Sequence, residues 1–180
     1  MKCYDLSSCE KRAAAALGYA PAPAATSVVL RSRKDIPTQP GFFAVQSENP
    51  DLLVEACKRG TATLVMPLDA RDYWRNNALL QAAIDKNRVF EIPLRPLLHA
   101  HFVQRAKLLN QTRFFLKRCV KRGVAFVITS RAENEYDLKS PREAIAIAQL
   151  LGLNFQQAQY ALSKQCEKVI EELAEKGRTT

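Results

Sequence analysis

The sequence predicts an α/β fold built on a parallel sheet. Short runs rich in β-branched and aromatic residues alternate with helical patterns along most of the 180 residues, and parallel strands need such crossover connections. A closed barrel and an open wound sheet both satisfy this pattern. Complete eight-fold barrels usually need around 250 residues, so a barrel of this length must be incomplete or irregular. We expect one domain over residues 1–180.

The six candidate strands are short and rich in Val, Ile, Leu, Phe or Thr. In chain order they cover residues 2–6, 27–31, 42–46, 63–67, 89–94 and 124–129. The segment 32–41 between the second and third strands contains Pro37 and Pro40. It is predicted to be a connection without a full helix.

The candidate helices begin and end at capping residues such as Ser, Asn and Gly. They extend from Ser8 to Ala16, from Asn49-Pro50 to Gly60, over 76–86, over 102–122 before Gly123, from Ser140-Pro141 to Leu151, and from Asn154 to about Glu171.

The positive charge is concentrated in one segment. The chain has 27 Lys and Arg against 18 Asp and Glu, a net charge of +9. Residues 92–132 contain no Asp or Glu, and they carry all of the excess: Arg95, Arg105, Lys107, Arg113, Lys117, Arg118, Lys121, Arg122 and Arg131. Such segregation indicates a surface that faces phosphate groups, and a solvated basic helix is the alternative.

Cysteine usage and hydropathy indicate a cytoplasmic protein without a membrane partner. The five cysteines are widely spread and form no Cys-x-x-Cys pair. Cys57 and Cys119 fall on apolar helical faces, which predicts buried, inert thiols. The uncharged stretch 13–30 is mostly alanine and is broken by Gly18 and two prolines, so it is not predicted to span a bilayer.

No motif for catalysis or metal binding is present. The chain has only two histidines, His99 and His101, and it lacks glycine-rich phosphate loops, a Gly-x-Ser-x-Gly elbow and a His-Glu-x-x-His helix. We therefore predict no catalytic residue, no metal ligand and no cofactor bound by the protein itself.

The long helix over 102–122 is predicted to bury one face and expose its basic residues on the other. The predicted core face consists of Phe102, Ala106, Leu108, Leu109, Phe115, Leu116, Cys119 and Val120. Phe114 lies among the basic residues. It is predicted either to stack on an unpaired base or contact a partner, or to lie under a neighbouring loop.

Alternation along residues 89–94 places Phe90, Ile92 and Leu94 on one side, with Glu91 and Arg95 on the other. Arg95, and Arg131 after the next strand, would then lie at the inner carboxyl ends of their strands, where barrels place functional residues. Both arginines could instead pair with an inward carboxylate such as Asp5 or Glu91.

Four ordered blocks carry a family resemblance. They are Leu94-Arg95-Pro96-Leu97-Leu98, Arg105-Ala106-Lys107-Leu108-Leu109, Val127-Ile128-Thr129-Ser130-Arg131-Ala132, and Tyr136-Asp137-Leu138-Lys139-Ser140-Pro141-Arg142. Together they resemble the thirty-kilodalton-class protein subunit of archaeal and eukaryotic ribonuclease P. The resemblance is strongest from about residue 89 to the end and thin before residue 42.

The resemblance implies an irregular, incomplete TIM-like barrel of about six parallel strands with surrounding helices. It also implies a non-catalytic subunit of an endonuclease complex in tRNA processing, in which the RNA, with magnesium, cleaves precursor tRNA. The implied partners are the ribonuclease P RNA, a smaller protein subunit of RNA-recognition-like fold and, indirectly, precursor tRNA. Arg95, Arg105, Lys107 and Arg142 match family positions implicated in RNA contact or activity. Lys139 lies in the last block, and Arg131 stands where the family usually has a small polar residue.

The sequence departs from the family in its strands. The family pattern has seven strands against the six counted here, with the missing unit expected near residues 32–41, where barrel closure would then be weakest. Two other functions stay open: a stand-alone metal-dependent phosphoesterase or nuclease that uses Asp5 or Glu91, and a general RNA-binding scaffold protein.

Overall fold

The predicted parallel sheet is present. The computed structural model describes residues 1–7, 11–39 and 41–178, with side chains up to residue 175. Two short strands, β1 (Cys3–Tyr4) and β2 (Tyr19–Ala20), pair in parallel with each other. The main sheet has the order β3-β4-β5-β6-β7, all parallel, with β3 (Thr26–Val29), β4 (Phe43–Gln46), β5 (Leu64–Met66), β6 (Val89–Pro93) and β7 (Phe126–Thr129).

Helices connect and cover these strands. In the described ranges they are α1 (Lys11–Ala16), α2 (Pro50–Arg59), α3 (Asn77–Asp85), α4 (Leu94–His99), α5 (Phe102–Arg122), α6 (Pro141–Leu150), α7 (Phe155–Leu162) and α8 (Lys164–Arg178), with 3-10 turns at Arg33–Asp35, Tyr73–Arg75 and Glu135–Asp137. No described helix is both long and apolar enough to cross a membrane.

The predicted helix caps are confirmed where the structure describes them. The Asn49 side chain accepts a hydrogen bond from the Asp51 backbone N–H, and Ser140 and Glu143 form a capping box. Gly123 ends α5 in the left-handed conformation at φ +67°. Ser8, the predicted cap of the first helix, lies outside the described residues.

Two apolar clusters lie on opposite faces of the main sheet. Phe90 and Ile92 of β6 lie in the larger cluster with the surrounding helices, whereas Val89 lies in the smaller one. The smaller cluster includes Leu64 of β5 and two residues of α8, Cys166 and Val169. The alternation predicted for β6 is therefore correct, and α8 packs against the inner face of the sheet.

Contacts between β1 and β7 complete the barrel where no ladder joins them. The Ser130 backbone N–H donates to Asp5 Oδ1 at 3.2 Å, and the Arg131 N–H donates to Ser7 Oγ at 2.8 Å. On the other side of β1, the Ala25 N–H donates to the Leu6 carbonyl at 2.7 Å. The fold is the predicted incomplete barrel, with interruptions between β1 and β7 and between the β1–β2 pair and β3.

The predicted position of the barrel's weak side was therefore wrong. β3 and β4 pair directly across the 32–41 connection, and its described residues, 32–39 and 41, contain a 3-10 turn and no α-helix, as predicted. The seventh strand in the described chain is β2, two residues inside the alanine-rich stretch. It was missed because two residues are too few to show a periodic pattern.

The predicted end of the 89–94 strand and the predicted last helix were also wrong. Leu94 and Arg95 do not continue β6 but begin α4, where Pro96 lies in the first turn and costs no internal hydrogen bond. The last predicted helix is two helices that break at Ser163. The Ser163 hydroxyl donates to the Gln159 carbonyl at 2.6 Å, a contact that bends helices.

Candidate nucleic-acid interface

The basic helix α5 is anchored by its second half. Thr112, Phe115, Leu116 and Cys119 are buried. The first turn extends beyond the body of the protein, since Phe102 is 92% exposed. The predicted core face was therefore wrong for Phe102, Ala106 and Val120, which are exposed. The buried face only begins near Leu108 and Leu109, which are partly covered.

Arg95 is held by two carboxylates. Its Nη2 lies 2.7 Å from Glu133 Oε2, and its Nε lies 3.0 Å from Asp137 Oδ2. The buried Asp137 also contacts His99 Nε2 at 2.6 Å and accepts the Glu133 backbone N–H. The backbone hydrogen bond, followed by the bonds from His99 and Arg95, lowers the pKa of Asp137 to about 2. Arg95 thus ties α4 to the loop after β7.

Arg131 pairs with Glu91 inside the barrel. Arg131 Nε and Nη2 each lie 2.6 Å from a Glu91 oxygen, and Thr129 Oγ1 donates to the same carboxylate at 2.6 Å. Glu91 is fully buried and the Arg131 side chain is 16% exposed. Of the two alternatives for Arg131, the structure favours pairing with an inward carboxylate.

Three further arginines bind carbonyl groups of their own fold. Arg105 donates to the carbonyls of Leu98 and Ala100 at 2.8 and 2.6 Å, which satisfies the C-terminal end of α4. The other contacts join α5 to α6 and to the loop before α3: Arg113 to the Leu150 carbonyl at 2.8 Å, and Arg118 to the Trp74 carbonyl at 2.8 Å and to Asn77 Oδ1.

Four cations of α5 have no hydrogen bond or ion pair with any described residue: Lys107, Lys117, Lys121 and Arg122. All four are exposed. Lys107, Lys117 and Lys121 lie on the side of the helix opposite the buried face, over a length of about 21 Å. The basic segment thus divides into arginines that hold the fold together and a row of unpaired cations, named here the α5 row.

Phe114 is half exposed and lies on the same side of α5 as Lys107, Lys117 and Lys121. Its ring meets Trp74 edge to face at a centroid distance of 5.5 Å, and the Arg118 guanidinium lies 5.9 Å from its centroid. The Arg75 guanidinium covers Trp74 at 4.4 Å. Phe114 is therefore partly covered by the 73–75 turn and keeps an exposed edge. Sequence reasoning missed Trp74, whose place beside α5 depends on a contact 40 residues apart in the chain.

Lys139 and Arg142 lie beyond the basic segment. Lys139 Nζ donates to the carbonyls of Tyr136 and Leu138 at 3.0 and 3.2 Å. Arg142 is exposed in the first turn of α6 and has no hydrogen bond or ion pair within the described chain. It adds one unpaired cation on a different helix from the α5 row.

The groups considered for chemistry are committed to packing and hydrogen bonds. Asp5 Oδ1 accepts from the Ser7 hydroxyl and from two backbone N–H groups, Asp5 Oδ2 is buried without a partner among the described residues, and Glu91 binds Arg131. Burial raises the pKa of the Cys57 and Cys119 thiols to about 12, which keeps both protonated. Within residues 1–7, 11–39 and 41–175, no three His, Cys, Asp or Glu side chains group closely enough to hold a metal.

Comparison with known families settles the class of the chain. A family model described as RNase P subunit p30 matches residues 26–178. The chain belongs to the RNase P subunit p30 family. The resemblance drawn from the four sequence blocks is thereby confirmed, and the match also covers the region before residue 89 where those blocks are absent.

Curated relatives of this p30-family chain include archaeal proteins. Ribonuclease P protein component 3 of Methanosarcina acetivorans is 37% identical over 95 residues, which cover 53% of this chain and 40% of the relative. The protein of the same name from Methanothermobacter thermautotrophicus is 30% identical over 102 residues, or 57% and 42% of the two chains. The matches thus cover less than half the length of these relatives.

A solved structure confirms the fold. A chain in the cryo-EM structure of archaeal ribonuclease P with mature tRNA superposes with a TM-score of 0.74 at 18% sequence identity. The superposition covers 99% of this chain and 82% of the other. The p30-family chain therefore has the fold of that neighbour, in agreement with the incomplete TIM-like barrel expected from its sequence.

Proposed function

We propose that this chain is a non-catalytic protein subunit of ribonuclease P that binds the catalytic RNA and supports 5′ maturation of precursor tRNA. The family match over residues 26–178 carries the proposal. In this proposal the RNA, with magnesium, performs the cleavage. The commitment of Asp5 and Glu91 to the fold supports a role without protein catalysis.

The α5 row is the proposed phosphate-binding surface. No ion pair with a carboxylate of the described chain is formed by its members, Lys107, Lys117, Lys121 and Arg122. Their full charge is therefore available to displace counterions from RNA. Arg142 is proposed as a fifth direct contact. The exposed edge of Phe114 offers a surface for an unpaired base within the row.

The remaining cations of the predicted interface have a supporting part in this proposal. All of them hold α4, α5 and the loop after β7 in place: Arg95, Arg105, Arg113, Arg118, Arg131 and Lys139. Arg95 and Arg131 are paired with carboxylates, whereas the other four bind neutral groups and keep their positive charge at the surface. An arginine has five donors, so the guanidinium groups of Arg105, Arg113 and Arg118, which bind one or two internal acceptors, still have donors for a phosphate.

The proposed partners follow from the family. They are the ribonuclease P RNA, a smaller protein subunit of RNA-recognition-like fold and, indirectly, precursor tRNA, in the cytoplasm. The chain would act as one subunit of this ribonucleoprotein and would bind no cofactor itself.

Affinity purification from the native cell tests this function. The chain is tagged, purified at moderate salt, and the co-purifying RNA and proteins are identified. We expect one structured RNA to be enriched, together with cleavage of precursor tRNA. Recovery of a non-selective RNA mixture without this activity would contradict the proposal and favour the general scaffold.

A variant sharpens that experiment. K107Q/K117Q/K121Q/R122Q is tagged in parallel, and it should retain its fold because none of these side chains has an internal partner in the described chain. We expect it to recover less of the structured RNA and less cleavage activity than the unchanged chain. Equal recovery would remove the α5 row from the interface.

A further inference from the structure

A cluster of two aromatic rings and two guanidinium groups lies where α5 meets the 3-10 turn before α3. The Phe114 ring meets Trp74 at a centroid distance of 5.5 Å, with the two ring planes 85° apart. The Arg75 guanidinium lies over the Trp74 ring, 4.4 Å from its centroid. The Arg118 guanidinium lies 5.9 Å from the centroid of Phe114. We name these four residues the Trp74 cluster, and two of them, Trp74 and Arg75, lie outside the basic segment.

The turn that carries Trp74 is fixed to α5. Tyr73 is buried, its hydroxyl lies 3.0 Å from Thr112 Oγ1, and its ring meets that of Phe115 at a centroid distance of 5.4 Å. Arg118 Nη1 donates to the Trp74 carbonyl at 2.8 Å. These contacts hold the Trp74 backbone in place before any ligand binds. Binding at this ring therefore costs little conformational entropy.

The indole N–H of Trp74 is buried without a hydrogen-bond partner among the described residues. A buried donor without an acceptor costs free energy, so packing against α5 alone would be served better by a ring without that group. Tryptophan is, however, the aromatic side chain with the largest flat surface and the strongest attraction for a cation above its face. The ring therefore fits a role in stacking better than a role in filling space.

Arg75 presents a second flat group to solvent. Its side chain is 61% exposed although its guanidinium covers the Trp74 ring, so the outer side of the group is open. Its ion pair with Asp72 joins two exposed side chains at 3.1 Å, and such surface pairs contribute little to stability. Guanidinium planes stack on bases as aromatic rings do. The Arg75–Trp74 stack is thus accessible to a further flat group.

The surroundings of the Trp74 cluster suit a nucleic acid better than a protein. Residues 71–77 and 113–118 are all described, and Phe114 is the only large apolar side chain exposed among them. Protein interfaces are built around several buried apolar anchors, for which a single ring is too little. Lys117 of the α5 row lies one turn from Phe114 on the same side of the helix. Cations beside aromatic rings are typical of sites that stack unpaired bases.

We propose that the Trp74 cluster binds an unpaired nucleobase of the RNA, stacked on the Arg75 guanidinium above the Trp74 ring. The inference deepens the proposed function and rests on RNA binding by the α5 row, which would hold the adjoining phosphates. It extends the RNA-binding surface from α5 to the turn before α3. It also gives Arg75, a residue outside the basic segment, a direct contact with RNA.

The single tryptophan of the chain reports on this site. The emission of Trp74 is recorded while the protein is titrated with single-stranded RNA of random sequence, about ten nucleotides long, and with an abasic oligonucleotide of the same length. Fluorescence anisotropy of the labelled probes measures their affinities. We expect the base-bearing RNA to bind about tenfold more tightly and to quench Trp74. The abasic probe should leave the emission unchanged at saturation.

Two variants test the cluster by mutation. Arg75→Gln removes the stacking group, and Phe114→Leu removes the ring that contacts Trp74. Each should reduce the preference for the base-bearing probe severalfold. The preference compares two probes on the same protein, so a change in net charge affects both alike.

Each variant has a matched control. Arg59→Gln removes the same charge as Arg75→Gln, from an arginine that is also paired with a carboxylate one turn away. Phe155→Leu removes an exposed aromatic ring from α7, outside the cluster. Both controls should leave the preference intact. Circular dichroism establishes that each variant is folded, and the exposure of Arg75 keeps its variant informative if Phe114→Leu fails to fold.

The outcomes separate the base site from the function as a whole. Equal binding of the two probes by the unchanged protein would overturn the base site, and so would saturating binding of the base-bearing RNA without a change in Trp74 emission. An unaltered preference in Arg75→Gln would also overturn it and would leave the cluster a role only in packing the turn against α5. Failure to bind ribonuclease P RNA at all would instead overturn the proposed function.

Discussion

Arg131, two residues after β7, and Glu91 of β6 form a bidentate ion pair, with both nitrogen–oxygen distances at 2.6 Å. Arg131 adopts a left-handed backbone conformation at φ +48°, which is strained for a residue with a side chain. Its N–H donates to Ser7 Oγ after β1. Arg131 thus links β6 to the segments that follow β7 and β1, at one of the two places where the barrel lacks a ladder.

We expect Arg131→Met to lower the free energy of unfolding by about 3–5 kcal/mol, because it leaves the Glu91 carboxylate buried without its counterion. Urea denaturation followed by circular dichroism measures the change. In E91M/R131M both charges are removed together, so we expect much of the stability to return. A loss below about 1 kcal/mol in Arg131→Met would contradict a structural role for the pair.

Neutralising two neighbouring cations of α5 should change the stability of the protein by different amounts. Arg118→Gln removes hydrogen bonds to the Trp74 carbonyl and Asn77, and should cost about 1–2 kcal/mol of stability. Lys117→Gln has no internal partner to lose and should stay within about 0.5 kcal/mol of the unchanged protein. Thermal unfolding of the two variants, which carry the same net charge, distinguishes the two roles. Equal losses of stability in the two variants would refute the division of the α5 cations into fold-holding arginines and unpaired cations.

The acid stability of the protein should depend on Asp137. The pKa of its carboxyl group is lowered from 3.8 to about 2, so its contribution to stability is complete above pH 3.8 and is lost as the pH falls toward 2. Asp137→Asn removes this titration. We expect the difference in unfolding free energy between the two proteins to shrink between pH 4 and 2. A constant difference across that range would show that Asp137 is not held as a carboxylate.

Much of the fold could be predicted from the sequence. Strands such as β6 and β7 and the bounds of α5 are encoded locally, by runs of apolar residues and by Gly123 at the helix end. Short elements were not predicted, because β2 has two residues and α4 has six, which are too few to show a periodic apolar pattern. The predicted last helix is interrupted at Ser163, whose hydroxyl donates to the Gln159 carbonyl, a contact that the apolar pattern does not encode.

The site was less predictable than the fold. Charge segregation located the basic segment, but it could not separate Arg118 from Lys117, because the difference depends on acceptors 41 and 44 residues away in the chain. The face of α5 was predicted as if the helix were covered along its whole length. How far a helix extends beyond its neighbours depends on tertiary packing, and the exposure of Phe102 follows from that packing.

The salt dependence of RNA binding tests the central claim most directly. The affinity of K107Q/K117Q/K121Q/R122Q for ribonuclease P RNA is measured against salt concentration. Its control is R12Q/K34Q/K58Q/K86Q, which loses the same charge at exposed positions outside the basic segment. We predict that the slope of log K against log salt falls by roughly three units in the first variant, at about 0.7–0.9 per lost phosphate contact, and stays unchanged in the control. Equal slopes in the two variants would contradict the assignment of α5 as the RNA-binding surface.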